Sequence, residues 1–138
     1  MSEMERRLEG RKVLIVDDDP DIQASVDQAL KAEGAVTRCC SDGNSAVHKA
    51  ESEKPDVVVL DMMLPKRSGF LVLERLKQRE NPPVVLMVTA NEGKRHKAYA
   101  ESLGVDGYLQ KPVRLERLIT MAVDFLKERD SYMESEGE

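Results

Sequence analysis

The stretch Lys12-Val13-Leu14-Ile15-Val16-Asp17-Asp18-Asp19-Pro20 carries the fold class in nine residues. Residues 12–16 are almost continuously aliphatic and β-branched, the pattern of a strand buried on both faces in a helix-covered parallel sheet. The acids end that strand. Pro20 has the fixed φ of a first helical turn, Asp19 precedes it as N-cap, and Ile22, Val26, Ala29 and Leu30 recur on one helical face until Gly34. The opening therefore predicts strand, acidic turn and amphipathic helix.

Downstream the unit recurs. A second strand is expected over 36–40, followed by Asp42-Gly43-Asn44 turn chemistry and a modest helix marked by Ala46, Val47 and Ala50, up to the break at Lys54-Pro55. Strand 56–60 then precedes helix 69–79, strand 83–88 precedes helix 92–102, and strand 107–109 precedes helix 115–127. Leu115, Leu118, Ile119, Ala122 and Phe125 give the last helix an apolar stripe. Five strands alternating with five helices predict an α/β domain of three layers, α/β/α, around a five-stranded parallel sheet. Residues 1–10 read as a flexible extension, 11–127 as the folded body and 128–138 as an acidic tail, on composition and position.

Composition bounds what such a domain does. The chain has 138 residues, 41% hydrophobic and 34% charged, enough for one core and too few for two domains. No apolar run approaches the roughly 20 residues of a membrane span, and the polar opening lacks the apolar stretch of a signal peptide. An intracellular, cytoplasmic protein with no membrane partner is expected. Of the formal charge of −5, the last eleven residues hold −4, so the body is nearly neutral. That disfavours direct nucleic-acid binding by this chain. Cys39 and Cys40 are adjacent, which neither staples distant segments nor matches a zinc pattern; they read as strand residues in a reducing compartment.

In open parallel sheets, chemistry gathers beyond the carboxyl ends of the strands. Asp17 and Asp18 stand there after the first strand, Asp61 after the third, Thr89 after the fourth and Lys111 after the fifth. Converging carboxylates need a positive partner. Oxygen-only ligands with open positions suit Mg²⁺, or Mn²⁺, and Lys111 adds a cation able to pair with Asp61 or with a phosphoryl group on it. The Thr89 hydroxyl can donate to a phosphoryl oxygen.

The segments Val16-Asp17-Asp18, Asp61-Met62-Met63-Leu64-Pro65-Lys66-Arg67-Ser68-Gly69, Val88-Thr89-Ala90 and Tyr108-Leu109-Gln110-Lys111-Pro112 resemble those of bacterial two-component response-regulator receiver domains. Each motif alone is weak, but four in order at predicted strand ends are specific. The resemblance covers about 11–127. It implies a flavodoxin-like sheet in the order 2-1-3-4-5, with Asp61 as phosphoacceptor. A sensor histidine kinase or histidine phosphotransfer protein would be the donor, and a downstream protein target or a fused output domain the recipient. It further implies that Asp18, Asp61 and the Met63 backbone carbonyl ligate Mg²⁺ directly, with Asp17 acting through water. Lys111 and Thr89 would contact the phosphoryl group, Thr89 and Tyr108 would form a switch altering the face of the fourth helix, fifth strand and fifth helix, and Pro112 would follow a cis bond. Met63 and Asn91 match the positions that tune hydrolysis, and apolar Met63 predicts slow to intermediate loss of the phosphoryl group.

Other readings complete the picture. His48 and His96 lie away from strand ends and read as surface histidines. Lys94-Arg95-His96-Lys97 reads first as a solvated face, but base charge at a helix N-terminus opposes the macrodipole, which leaves an acidic partner as the second reading. Met62, Met63 and Leu64 form an apolar loop that, with Phe70, could dock a kinase or simply pack. A rival function is a haloacid-dehalogenase-type phosphatase, but Asp17-Asp18-Asp19-Pro20-Asp21 places Asp21 where that motif has Thr or Val. A phosphorylation-independent interaction module is the other alternative. After Lys127 too few residues remain for an output domain, so the expectation is a free-standing receiver or one cut from a longer protein.

Overall fold

The computed structural model describes residues 6–90 and 94–137. The elements run β1 (Lys12–Val16), α1 (Pro20–Ala32), β2 (Val36–Cys40), α2 (Gly43–Glu53), β3 (Val57–Asp61), α3 (Gly69–Lys77), β4 (Val84–Thr89), α4 (Lys94–Ser102), β5 (Gly107–Gln110) and α5 (Leu115–Gly137). All strand pairs are parallel and the sheet order is β2-β1-β3-β4-β5. This is the predicted three-layer, flavodoxin-like arrangement.

Strand periodicity divides the core in two. Val13, Ile15, Val57, Val59, Leu86 and Val88 face one way, against Val26 and Leu30 of α1 and Leu118 and Ala122 of α5. Their neighbours Leu14, Val16, Val58, Leu60, Val85 and Met87 face the other way, against α2, α3 and Ala100 of α4. Because β3 lies at the centre, each of its five residues is buried, Asp61 included. Each fully buried Val or Leu contributes about 1.5–3 kcal/mol, so the charged groups at the strand ends sit on a stiff platform.

Local signals in the first unit are realised as written. Asp19 caps α1 by accepting hydrogen bonds from the Asp21 and Ile22 N–H groups, and Pro20 opens the helix. Gly34 follows the helix at φ +91°, a conformation L side chains rarely adopt.

Several boundaries differ from expectation. β3, β4 and β5 end one residue later than predicted, which makes Asp61 and Thr89 the last residues of their strands rather than the first of their loops. Their backbone positions are therefore fixed by the sheet. Residues 91–93, with Asn91 and the expected start of the fourth helix, lie outside the described residues.

The two ends are corrected more strongly. Leu8, expected in a flexible extension, is buried, and its N–H donates to the Glu33 carbonyl. Arg7 ties Glu33 at the end of α1 to Glu116 in the first turn of α5. α5 continues to Gly137 instead of ending at Lys127. Its extra turns are held to the sheet's amino edge by Arg129 with Asp56 and Asp130 with Arg11. Glu, Arg and Met are good helix formers, so an acidic composition did not have to mean a frayed tail.

Candidate functional site

At the carboxyl edge of β1 and β3, the side chains of Asp17, Asp18 and Asp61 each bring an oxygen within 4.8 Å of the others. β1 and β3 are adjacent, with Val16 in register with Leu60, so the residues that follow both strands must meet. Asp17 and Asp61 are buried and Asp18 is exposed, so the cluster opens to solvent on one side. Such a set, all oxygen and partly open, fits a hard divalent cation that keeps some of its waters.

Lys111 reaches the same place from the end of β5. Its Nζ lies 3.0 Å from Asp17 Oδ2 and 3.5 Å from Asp61 Oδ2. The shorter contact is to Asp17, whereas the sequence suggested Asp61 as the resting partner. The Lys111–Pro112 peptide is cis, as anticipated.

Electrostatics follow from this crowding. Burial, and then the charge of Asp17, lift the Asp61 carboxyl above the usual carboxylate range, while Lys111 and the Met63 N–H pull it partly back. For Lys111, burial works against the ammonium, but its hydrogen bond to Asp17 and the charge of Asp61 more than offset this and raise it. The site therefore favours a filled, compensated state over two bare buried carboxylates.

The loop after Asp61 is shaped around it. The Met63 N–H donates to Asp61 Oδ1 at 3.3 Å. Gly69 opens α3 with its N–H on the Met62 carbonyl, and a Cβ there would stand 2.4 Å from the Asp61 carbonyl oxygen. Glycine is required by that approach. Ser68 caps the helix by accepting from the Leu71 N–H.

Met62 and Met63, adjacent in one apolar loop, have opposite fates. Met63 is 70% exposed and Met62 is 1% exposed, so Met62 cannot belong to a docking surface. Its sulfur instead accepts from the Thr89 hydroxyl at 3.7 Å and lies 4.0 Å from the Tyr108 hydroxyl, which donates to it. Thr89 is fully buried and Tyr108 half-buried, and burial raises the Tyr108 phenol. Nothing in the sequence marks Met62 as a shared neighbour of both hydroxyls, since the loop after β3 and the strands β4 and β5 supply the parts. Gln23 was also missed: from α1 its amide donates to the carbonyls of Asp17 and Cys40, tying the ends of β1 and β2 together.

A family model described as the response regulator receiver domain matches residues 13–123. The chain belongs to that family. As a receiver, it is 40% identical over 103 residues to the alkaline phosphatase synthesis transcriptional regulatory protein PhoP of Bacillus subtilis, covering 75% of this chain and 43% of that protein. It is also 40% identical over 117 residues to the probable transcriptional regulatory protein TcrX of Mycobacterium tuberculosis, covering 83% and 50%. The receiver thus spans about half the length of these curated relatives. Among solved structures, a CheY-like response regulator receiver domain protein from Methanospirillum hungatei superposes with a TM-score of 0.84 at 28% identity, covering 90% of this receiver and 99% of that chain.

The two histidines stay outside this receiver's site. His48 is exposed on α2, while His96 of α4 is half-buried and stacks on Phe70, centroids 6.0 Å apart. Phe70 also meets Tyr99 edge-on at 5.0 Å, so it packs α3 against α4.

Proposed function

We propose that Asp61 takes a phosphoryl group from a phosphohistidine on a sensor kinase or phosphotransfer protein, and that the resulting acyl phosphate is read by a downstream protein or output domain. A phosphoacceptor role in two-component signalling is the family's, and one observation supports Asp61 as its seat. Among the described residues, Asp61 alone combines a sheet-fixed carboxylate, two acidic neighbours and a lysine within 3.5 Å. In the transfer, an Asp61 oxygen attacks phosphorus in line, the phosphorus–nitrogen bond breaks, and the imidazole leaves with the bonding pair.

Asp18, Asp61 and the Met63 carbonyl would hold Mg²⁺ directly, and Asp17 through water; when bound, the ion supplies positive charge to the equatorial phosphoryl oxygens. Lys111 contributes the second positive charge and the Thr89 hydroxyl a hydrogen bond. To reach a phosphoryl oxygen Thr89 leaves Met62, and Tyr108 follows into the space released. Met63 cannot orient an attacking water, which makes self-dephosphorylation slow to intermediate and the domain a regulator rather than a turnover enzyme; Asn91 is the second tuning position. A cytoplasmic setting accords with two free thiols in β2, of which burial pushes Cys40 up to about 12.

Two measurements test this reading. Beryllofluoride with Mg²⁺ is expected to shift the backbone amide resonances of Thr89 and Tyr108 together; unchanged resonances would remove the switch. Met63→Asn is expected to shorten the lifetime of the acyl phosphate severalfold, and a lifetime equal to the parent's would contradict the tuning role.

A further inference from the structure

Of the two carboxylates that follow β1, Asp17 is held at every polar atom. Its N–H donates to the Cys40 carbonyl at 3.2 Å, its Oδ1 accepts from the Asp19 N–H at 2.9 Å, and its Oδ2 faces Lys111 Nζ at 3.0 Å. The remaining atom, its carbonyl oxygen, accepts from Nε2 of Gln23 at 2.5 Å. Asp18 has no such support. It is exposed, and among the described residues no hydrogen bond or ion pair reaches its carboxylate, although one of its oxygens stands within 4.8 Å of oxygens of Asp17 and Asp61.

The backbone is therefore what directs Asp18. A peptide unit is planar, so the Asp17 carbonyl oxygen shares one plane with the N–H and Cα of Asp18. With β1 holding the chain from one side, fixing that oxygen fixes the plane and the direction in which the Asp18 side chain leaves it. Among the described residues, Gln23 is the one donor to that carbonyl.

Gln23 is well placed to act this way. It is the fourth residue of α1, and its own N–H donates to the carbonyl of the N-cap residue Asp19 at 3.0 Å, so its side chain starts from a fixed point. The same Nε2 donates to the Cys40 carbonyl at 2.8 Å and lies 3.2 Å from Ser41 Oγ. Carbonyl oxygens only accept, which requires the amide nitrogen rather than its oxygen at this place. Without the amide, the Cys40 carbonyl would keep the Asp17 N–H, but the Asp17 carbonyl would keep no donor. The damage would fall on the peptide between Asp17 and Asp18.

We infer that Gln23 is a positioning residue for the divalent cation. By holding the peptide between Asp17 and Asp18, it aims the Asp18 carboxylate toward the oxygens of Asp17 and Asp61 and sets the affinity of the site without touching the ion. Groups that orient metal ligands from behind govern affinity by roughly 10–100-fold. The inference rests on the metal-site reading proposed above.

The test titrates Mn²⁺ into the parent, Gln23→Met and Thr37→Val, with free Mn²⁺ read by electron paramagnetic resonance and each protein melted without metal. Methionine keeps the length of glutamine and removes the donor. Thr37→Val is the control for mere stability, because the Thr37 hydroxyl, donating to Asp27, also ties β2 to α1 but lies apart from the carboxylates. Gln23→Met should bind Mn²⁺ roughly tenfold or more weakly than the parent, while Thr37→Val lowers the melting temperature and binds as the parent does. In metal-free spectra the Asp18 amide resonance should move in Gln23→Met and stay in place in Thr37→Val. Gln23→Asn, whose amide falls one methylene short of the two carbonyls, perturbs folding less and should show the same weakened binding, which keeps the test decisive if Gln23→Met does not fold. Gln23 variants that bind Mn²⁺ as tightly as the parent, or a Thr37→Val that weakens binding as much as they do, would overturn the positioning role alone. A parent that takes up no Mn²⁺ at millimolar concentration would overturn the metal-site reading, and the inference with it.

Discussion

Replacing Asp61 with Asn is expected to stabilise the metal-free protein at neutral pH by about 1–3 kcal/mol, the scale on which removing an incompletely compensated buried charge acts. Asp61 is 5% exposed and Asp17 4%, and one lysine serves both. Asparagine keeps the shape and an acceptor for the Met63 N–H. Lys111 keeps its shorter contact, 3.0 Å to Asp17. The sign with pH follows from the raised Asp61 carboxyl. A group whose folded pKa is raised contributes stability that is present in acid and lost as pH rises through the folded value. The variant's advantage should therefore be small near pH 4 and grow toward pH 7. Added Mg²⁺ should narrow it, because the parent alone retains the full carboxylate set and gains from the bound ion by mass action. Thermal melts across this range, with chelator and with MgCl₂, check both parts. A variant less stable than the parent at pH 7 without metal would contradict the electrostatic account.

Lys111→Ala should act in the opposite direction. Two buried carboxylates would lose their shared cation, at a cost of about 2–3 kcal/mol after allowance for the partial exposure of the lysine. The Lys111 ammonium is held above its ordinary value, so its contribution is complete below the ordinary lysine range and is lost only as pH rises through the elevated folded value. The loss should thus be constant between pH 6 and 9, unlike the Asp61 effect. Phosphoryl uptake from acetyl phosphate should slow by roughly 10²–10³-fold, as when one preorganised donor to a developing negative charge is removed. Lys111→Arg separates the two roles: the charge returns and stability with it, while the uptake rate stays depressed because a planar fork does not reproduce a point charge. If Lys111→Ala takes up phosphoryl at the parental rate, the lysine has no part in transfer.

Much of this was legible in the chain because the decisive signals are local. Val13–Val16, Val57–Leu60 and Val84–Val88 are apolar runs that only a doubly covered strand accommodates, and the residues following them are polar for no packing reason. Once β1 is paired with β3, as the family's strand order implies, Asp17, Asp18 and Asp61 must come together. What escaped depends on contacts between distant segments. Leu8 is buried by the end of α1, and the last turns of α5 are held by Asp56 and Arg11, partners about seventy and more than a hundred residues away. The strand order followed from family resemblance, since alternation alone fixes the layers but not which strand is central. Met62 read as part of a loop that docks a kinase or simply packs, because its two hydroxyl neighbours come from the distant strands β4 and β5. The preference of Lys111 for Asp17 over Asp61 depends on side-chain geometry that spacing does not encode.

The central claim is that the Asp61 carboxylate, seated among Asp17, Asp18 and Lys111, accepts a phosphoryl group with the help of a divalent cation. Intact-mass measurement after incubation with acetyl phosphate tests it most directly, with the parent and Asp61→Asn each treated in Mg²⁺ and in chelator. A gain of one phosphoryl by the parent in Mg²⁺ alone is the predicted result. Equal labelling of Asp61→Asn, or labelling of the parent that ignores the chelator, would contradict it.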